Sequence, residues 1–233
     1  DTLEERVQSR TKDLETSAEI ASAANQVRET GDLLSLTVNL IRDRFDLYYV
    51  QVYLLDFDKT HAVLKDGTGF VGRKLLGRNH RLPLDGKSIV ANAYRQSTPQ
   101  VVPDTQADSN FLPNDLLPNT RTEVAIPLRL QDEIIGVLDM QHSVPNFFDE
   151  GAIQLFQSMA DQLAVIFENV NLFQATERRA AELETVAQVS STAATILDSD
   201  KMLREVVTLT RDSFGLYHSH VYLLSDDGST LNL

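Results

Sequence analysis

Glu123-Val124-Ala125-Ile126-Pro127-Leu128-Arg129-Leu130, then Gln131-Asp132, then Glu133-Ile134-Ile135-Gly136-Val137-Leu138-Asp139-Met140 reads as two strands joined by a tight polar turn. The runs are dense in β-branched and apolar residues, and a two-residue link between such runs is a hairpin signal. They are therefore expected to lie side by side, antiparallel, in the sheet that organises the fold.

Upstream, Tyr48 to Phe57 is apolar on both faces and is expected as a central strand. Asp58-Lys59-Thr60 turns it into a second strand at about Ala62 to Lys65. Gly67 to Pro83 is glycine-rich and basic and reads as a loop or irregular strand. Asp85-Gly86-Lys87-Ser88 introduces a helix from Ile89 to Gln96, and Gln100 to Asp104 is a short strand ended by Pro103. Between Thr105 and Thr120, polar turn residues surround Phe111-Leu112 and Leu116-Leu117, the pattern of a structured surface loop.

At the amino end, Leu3, Val7, Leu14, Ser17, Ala21, Ala24 and Arg28, with Arg10 on the same seam, follow alternating steps of three and four, as on a helix facing a partner helix. Leu33, Leu34, Leu36, Val38, Leu40, Ile41 and Phe45 form a second helix after the turn Thr30-Gly31-Asp32. Beyond the hairpin, Asp149 is placed to cap a helix carrying Ile153, Phe156, Met159, Leu163, Ile166, Val170 and Phe173 at helical spacing. Neither Pro nor Gly occurs between Ala152 and Ile196, so a single long helix is expected.

The chain also repeats itself. Arg42-Asp43-Arg44-Phe45-Asp46-Leu47-Tyr48 returns as Arg211-Asp212-Ser213-Phe214-Gly215-Leu216-Tyr217, and Val52-Tyr53-Leu54-Leu55 returns as Val221-Tyr222-Leu223-Leu224, a constant shift of 211 − 42 = 169. The expected organisation is a connector helix at 1–16, a whole module at 17–173, a connecting helix at 174–186, and the start of a second module at 187–233. The chain reads as a piece of a longer array. The Val221 to Leu224 strand is expected to be disordered, completed by residues outside the chain, or paired with another chain, because an isolated apolar edge invites aggregation.

Composition narrows the chemistry. A net charge of −13 and no basic stripe argue against a nucleic-acid or anionic-membrane surface. No apolar run approaches the roughly 20 residues of a membrane span, so a soluble, cytoplasmic chain is expected. Zero cysteine removes disulfides, thiolate nucleophiles and thiolate metal sites. His61, His80, His142, His218 and His220 show no helical ligand spacing, and no metal site is expected. Gly67-Thr68-Gly69-Phe70-Val71-Gly72 satisfies a dinucleotide-type glycine pattern without a clear helix after it, and reads as a flexible loop. Ser88, Ser97 and Ser109 sit in no nucleophile elbow, Asp149-Glu150 reads as helix-start charge, and Arg121 with Glu123 reads as a structural ion pair. No catalytic residue is assigned.

Pro99 to Asp104, Leu117 to Leu128, Ile135 to Gln141 and Phe148-Asp149-Glu150, in this order of elements, resemble the second half of bacterial GAF sensor domains. The resemblance covers about Ala18 to Phe173. It implies an α+β fold, layered α/β/α, with an antiparallel central sheet flanked by helices and a long signalling helix. Leu3 to Glu15 resembles connector helices of sensor histidine kinases. The implied function is a non-catalytic sensory and dimerisation module relaying a conformational signal to a C-terminal output domain, a histidine kinase by that resemblance. The implied homodimer would use Leu3, Val7, Leu14, Phe156, Leu163, Val170 and Phe173 on its helices.

The alternative is a specific receptor for a cyclic nucleotide, another small ligand or a non-covalent chromophore. The family's cyclic-nucleotide motif pairs Asn with Lys, whereas Asn146 is followed here by Phe147. Covalent bilin and free-methionine sulfoxide reduction both require a Cys and are excluded; the cofactor is otherwise unknown. By fold position the ligand pocket falls between the sheet and the segments 67–86 and 104–121. Its lining would be Phe70, Ile89, Phe111, Leu112, Val124, Ile126 and Met140, with His80, Arg121 and Gln141 as polar contacts. For each apolar residue, simple core filling is an equal reading.

Overall fold

The computed structural model describes residues 29–108, 111–195, 199–225 and 227–233. They fall into two units, 1–173 and 174–233. The expectations for Leu3, Val7 and Leu14 and for the connector at 1–16 lie outside the described residues.

In the first unit, α1 (Thr30–Arg44) buries Leu33, Leu34, Val38 and Ile41 along one face. Asp32 in its first turn and Arg42 and Arg44 in its last complement the helix dipole. β1 (Tyr49–Leu55) is buried almost throughout, as the two-sided apolar run requires. Its turn into β2 (His61–Gly67) is set by Asp56, whose Oδ1 accepts from the backbone N–H of Thr60 at 2.8 Å and of His61 at 3.0 Å.

The glycine-rich stretch is not a loop. It forms α2 (Gly69–Gly77) and β3 (Arg81–Pro83). Helix propensity there is poor, and tertiary fit decides: Gly72 lies so close to Gly67 that an added Cβ would stand 1.7 Å from the Gly67 carbonyl oxygen. Thr68 ties the helix start to the sheet, donating its N–H to the Val50 carbonyl at 2.9 Å while its Oγ1 accepts from the Val50 N–H at 3.2 Å. Although a strand now precedes the glycines and a helix follows, β2 pairs antiparallel with β1 and β3, so no parallel βαβ dinucleotide unit exists here.

α3 (Ile89–Gln96), β4 (Gln100–Val102), β5 (Thr122–Leu130) and β6 (Glu133–His142) follow, and the six strands are ordered β3-β2-β1-β6-β5-β4, every pairing antiparallel. Gln131, at φ 55°, makes the tight β5–β6 turn. Asp149 caps α4 (Glu150–Thr195), its Oδ1 accepting from the Ala152 N–H at 2.7 Å.

Helices α1 and α4 cover one face of the sheet. Val50, Val52, Val124, Ile126, Leu138 and Met140 meet Val38, Ile41, Phe156, Met159 and Leu163 in one apolar layer. Phe156 is its keystone, 4.8 Å from Phe45 and 6.0 Å from Phe148, edge-on to both. On the opposite face Tyr49, Tyr53, Leu64, Leu75, Val90 and Ala93 form a second layer with α2 and α3. The result is the layered α+β architecture expected from the sequence.

The second unit holds the end of α4, helix α5 (Ser199–Ser213) and a hairpin of β7 (Leu223–Leu224) with β8 (Leu231–Asn232). Of the stretch Val221 to Leu224, Leu223 and Leu224 close as a short solvated hairpin with Leu223, Leu224 and Leu231 all exposed, which corrects the expectation of disorder for these two residues. Local turn chemistry suffices for this. Ser225 donates its N–H to the Thr230 carbonyl at 2.8 Å, Gly228 takes φ 69°, and hydrogen bonds from Ser225 and Ser229 hold the Asp227 carboxyl down at about 2.

Candidate functional site

Strand alternation decides what the second face of the sheet offers. On β5 and β6, Val124, Ile126, Leu138 and Met140 turn toward α4, so Glu123, Ala125, Asp139 and Gln141 turn the other way. Gln51 on β1 stands opposite Asp139 in register, and Glu123 stands opposite Gln141. Four buried polar side chains thereby gather on one face among tyrosines.

Above them lies a cavity of about 660 Å³, within the roughly 300–1,000 Å³ typical of small-molecule sites. Its floor is Gln51, Tyr53, Glu123 and Gln141, and its walls are Leu75, His80 and Leu82 on one side and Ile89, Val90 and Asn92 of α3 on another. Phe111 to Leu116 supply a third wall, and Arg78, Lys87, Asp108 and Asp115 bring charge of both signs to the rim. Ser88 fixes the start of α3, its Oγ accepting from the Ala91 N–H at 3.1 Å. From the far end of α3, Arg95 donates to the Leu84 carbonyl at 2.6 Å and the Gly86 carbonyl at 2.8 Å, holding the preceding loop against the helix.

The floor is a hydrogen-bonded network with a deficit. Gln51 Nε2 donates to Asp139 Oδ2 at 2.6 Å, and Gln141 Nε2 reaches Glu123 Oε1 at 3.0 Å and Asp139 Oδ2 at 3.2 Å. Thr120 Oγ1 donates to Gln141 Oε1 at 2.7 Å. Burial, above all, raises the Glu123 carboxyl well above its usual range, helped by the charge of Asp139; burial also raises Asp139. Both carboxyls accept from the same Gln141 Nε2, which places them side by side. Two adjacent buried carboxylates cannot both ionise cheaply, so burial favours a proton shared by the pair. No salt bridge reaches either group among the described residues. Gln51 Oε1 and Asp139 Oδ1 are buried acceptors without a hydrogen-bond partner.

Of the pocket residues expected from sequence, the cavity brings together His80, Ile89, Phe111, Leu112 and Gln141. Burial lowers the half-buried His80, favouring a neutral imidazole at the wall. Val124, Ile126 and Met140 are corrected: they lie on the opposite face of the sheet, in the α4 layer. Phe70 sits on the outer side of α2, 67% exposed, with the Lys74 ammonium 5.7 Å from its ring centre. Arg121 is held away by Asp104, with contacts of 3.0, 3.1 and 3.2 Å; its ion pair is with Asp104 rather than Glu123. Asn146 takes φ 57° and donates its N–H to the Pro103 carbonyl at 2.7 Å, away from the cavity lining.

The residues sequence reasoning missed are Gln51, Tyr53, Glu123 and Asp139. Their signal was present, as polar residues recurring at alternate positions inside otherwise apolar strands. Of the helix residues expected at a dimer face, Phe156, Leu163 and Val170 are buried within the chain and Phe173 is 43% exposed. The exposed apolar positions near them are Val165 and Leu172.

Among the described residues no group of His, Asp and Glu is arranged to hold a metal ion, and no helix is long and apolar enough to cross a membrane. A family model described as GAF domain matches residues 29–167, more than half of the chain. GAF domain-containing protein A of Dictyostelium discoideum is 26% identical over 122 residues, covering 52% of this chain and 70% of that protein. Among solved structures, free methionine-R-sulfoxide reductase from Neisseria meningitidis is similar at TM-score 0.61 and 23% identity, over 69% of this chain and 90% of that one. The GAF domain of an Acinetobacter phosphoenolpyruvate-protein phosphotransferase follows at 0.60 and 19%, over 70% and 97%. Residues 122 to 287 of a methyl-accepting chemotaxis protein give 0.57 and 18%, over 67% and 99%.

Proposed function

This chain belongs to the GAF domain family, whose members are commonly sensory or regulatory parts of signalling proteins, and from that premise we propose that residues 17–173 are a non-catalytic ligand-sensing module. The observation that carries this reading is that the cavity floor and the α4 contact are successive residues of the same strands. Glu123 borders the cavity and Val124 packs in the α4 layer; Met140 packs there between Asp139 and Gln141. A ligand that shifts the floor by differential affinity for two sheet states therefore biases the packing of α4.

The module works as a homodimer in which α4 pairs with its copy through Val165, Leu172 and Phe173, the exposed apolar positions beyond its inward face. The output is a histidine kinase or comparable domain of a longer bacterial protein, with the repeat at 187–233 opening a second module of the same kind. Fold likeness to a methyl-accepting chemotaxis protein and to the GAF domain of a phosphoenolpyruvate-protein phosphotransferase supports a signalling role in kind. The likeness to methionine sulfoxide reductases does not extend to a thiol, since the chain has no cysteine.

Sedimentation equilibrium is expected to show a dimer that Leu172→Glu weakens, and a strict monomer at high concentration would contradict the pairing. Plugging the cavity with Val90→Phe is expected to alter amide exchange along Phe156 to Val170. Exchange changes confined to α3 and the sheet would contradict the relay.

A further inference from the structure

The floor of the cavity is acidic, buried and short of donors. Glu123 is 7% exposed and Asp139 wholly buried, and neither has a cationic partner among the described residues. Beside them Gln51, 5% exposed and lining the cavity, donates one N–H to Asp139 and has an Oε1 without a hydrogen-bond partner. A buried acceptor left unpaired costs on the order of 1–3 kcal/mol, and buried carboxyls without cations are costlier still. Tyr53, Leu75, Leu82, Ile89 and Val90 supply the apolar part of the lining, with His80, Ser88 and Asn92 among its polar groups. The cations Arg78 and Lys87 are exposed at the rim, where solvent screens them.

From this we propose that the cavity takes a small organic cation, an ammonium, amidinium or guanidinium group of low molecular weight, whose N–H groups donate to Gln51 Oε1 and to Glu123, the proton shared by the carboxyl pair leaving to solvent as the cation takes its place. The walls select for size and shape, with the Tyr53 and Phe111 rings flanking the bound group, and the floor selects for charge. An anion is refused by the carboxyl pair. A neutral donor of the same shape satisfies Gln51 but leaves the carboxyls uncompensated, so it binds more weakly. The ligand class rests on the sensory reading of this cavity given above, and names what that sensor reads.

The test is a calorimetric titration of the full chain with methylguanidinium, with its neutral isostere N-methylurea, and with the anion butyrate. Methylguanidinium is expected to bind at least about tenfold more tightly than N-methylurea, a difference that one buried charge pair supplies, and butyrate is expected not to bind. Glu123→Gln keeps the shape and an acceptor for Gln141, so it folds, as far-ultraviolet circular dichroism checks. It leaves Asp139 as the one carboxyl of the floor and is expected to reduce the preference for methylguanidinium over N-methylurea. No binding of methylguanidinium, equal binding of the isosteres by the wild type, or an undiminished preference in Glu123→Gln would each overturn the proposal. Failure of the relay shows elsewhere: methylguanidinium then binds with its charge preference intact while exchange along α4 stays unchanged.

Discussion

The two faces of one sheet are built on opposite terms. Toward α1 and α4, Val50, Val52, Val124, Ile126, Leu138 and Met140 meet apolar side chains, and the buried atoms left unpaired there, Thr37 Oγ1 and Gln157 Oε1, belong to the helices and not to the strands. Toward the cavity, the residues between them include Gln51, Glu123, Asp139 and Gln141, buried to the same degree yet leaving acceptors unpaired. The first face gains stability from burial at roughly 25 cal/mol per Å² of apolar surface. The second gives some of it up, since apolar residues of similar volume would hold these strands at least as well. That difference is the ground for proposing that one face serves folding and the other binding.

Substitutions that strike the two faces separately should behave unlike one another. Phe156→Ala, at the centre of the apolar face, is expected to cost about 3–5 kcal/mol through the cavity it leaves among Phe45, Phe148 and Met159, as urea unfolding would measure. Ser88→Ala strikes the wall of the cavity by uncapping α3, and about 1 kcal/mol is expected to be lost; thermal unfolding with cavity-wall amide exchange reads both the loss and its location. Lys87→Ala, at the solvent-facing rim, should leave stability within about 0.5 kcal/mol. The same change should slightly tighten methylguanidinium by removing a like charge, and a calorimetric isotherm decides it.

The apolar face was legible in the sequence and the polar one was not. Period-3.6 spacing located Phe156, Met159, Leu163 and the Asp149 cap, and the two runs around Gln131-Asp132 located the hairpin. Val124, Ile126 and Met140 were expected in the pocket because composition does not say which side of a strand faces which layer; register supplies that, and register is a long-range property. Glu123 was read with Arg121 because the two are near in sequence, whereas Arg121 reaches Asp104 across the loop. Helix α2 was hidden by its glycines, which fit a close approach to Gly67 rather than a flexible loop.

The repeat shows the same limit. Thr30–Arg44 and Ser199–Ser213 are both helices, matched by the 169-residue shift, because a helix is specified locally. Tyr53 is 1% exposed and its counterpart Tyr222 is 53%; Leu54 and Leu223 differ likewise, at 8% and 49%. A central strand needs neighbours, and among the described residues β7 has only β8 beside it.

The account's central claim is that the carboxyl floor is retained for a ligand and not for the fold. Thermal unfolding of the wild type and Glu123→Gln across pH tests it. Burial first, then the charge of Asp139, raises Glu123 in the folded state, whereas the unfolded value is about 4.3. The favourable protonated pair is thus fully present below about pH 4.3 and is progressively lost as pH rises toward and through the folded value. Glu123→Gln, which needs no proton, is predicted to match the wild type near about pH 4 and to exceed it at about pH 8 by about 1 kcal/mol or more. A Glu123→Gln chain less stable than the wild type at both pH values would contradict the account, because the carboxyl would then be part of what holds the sheet together.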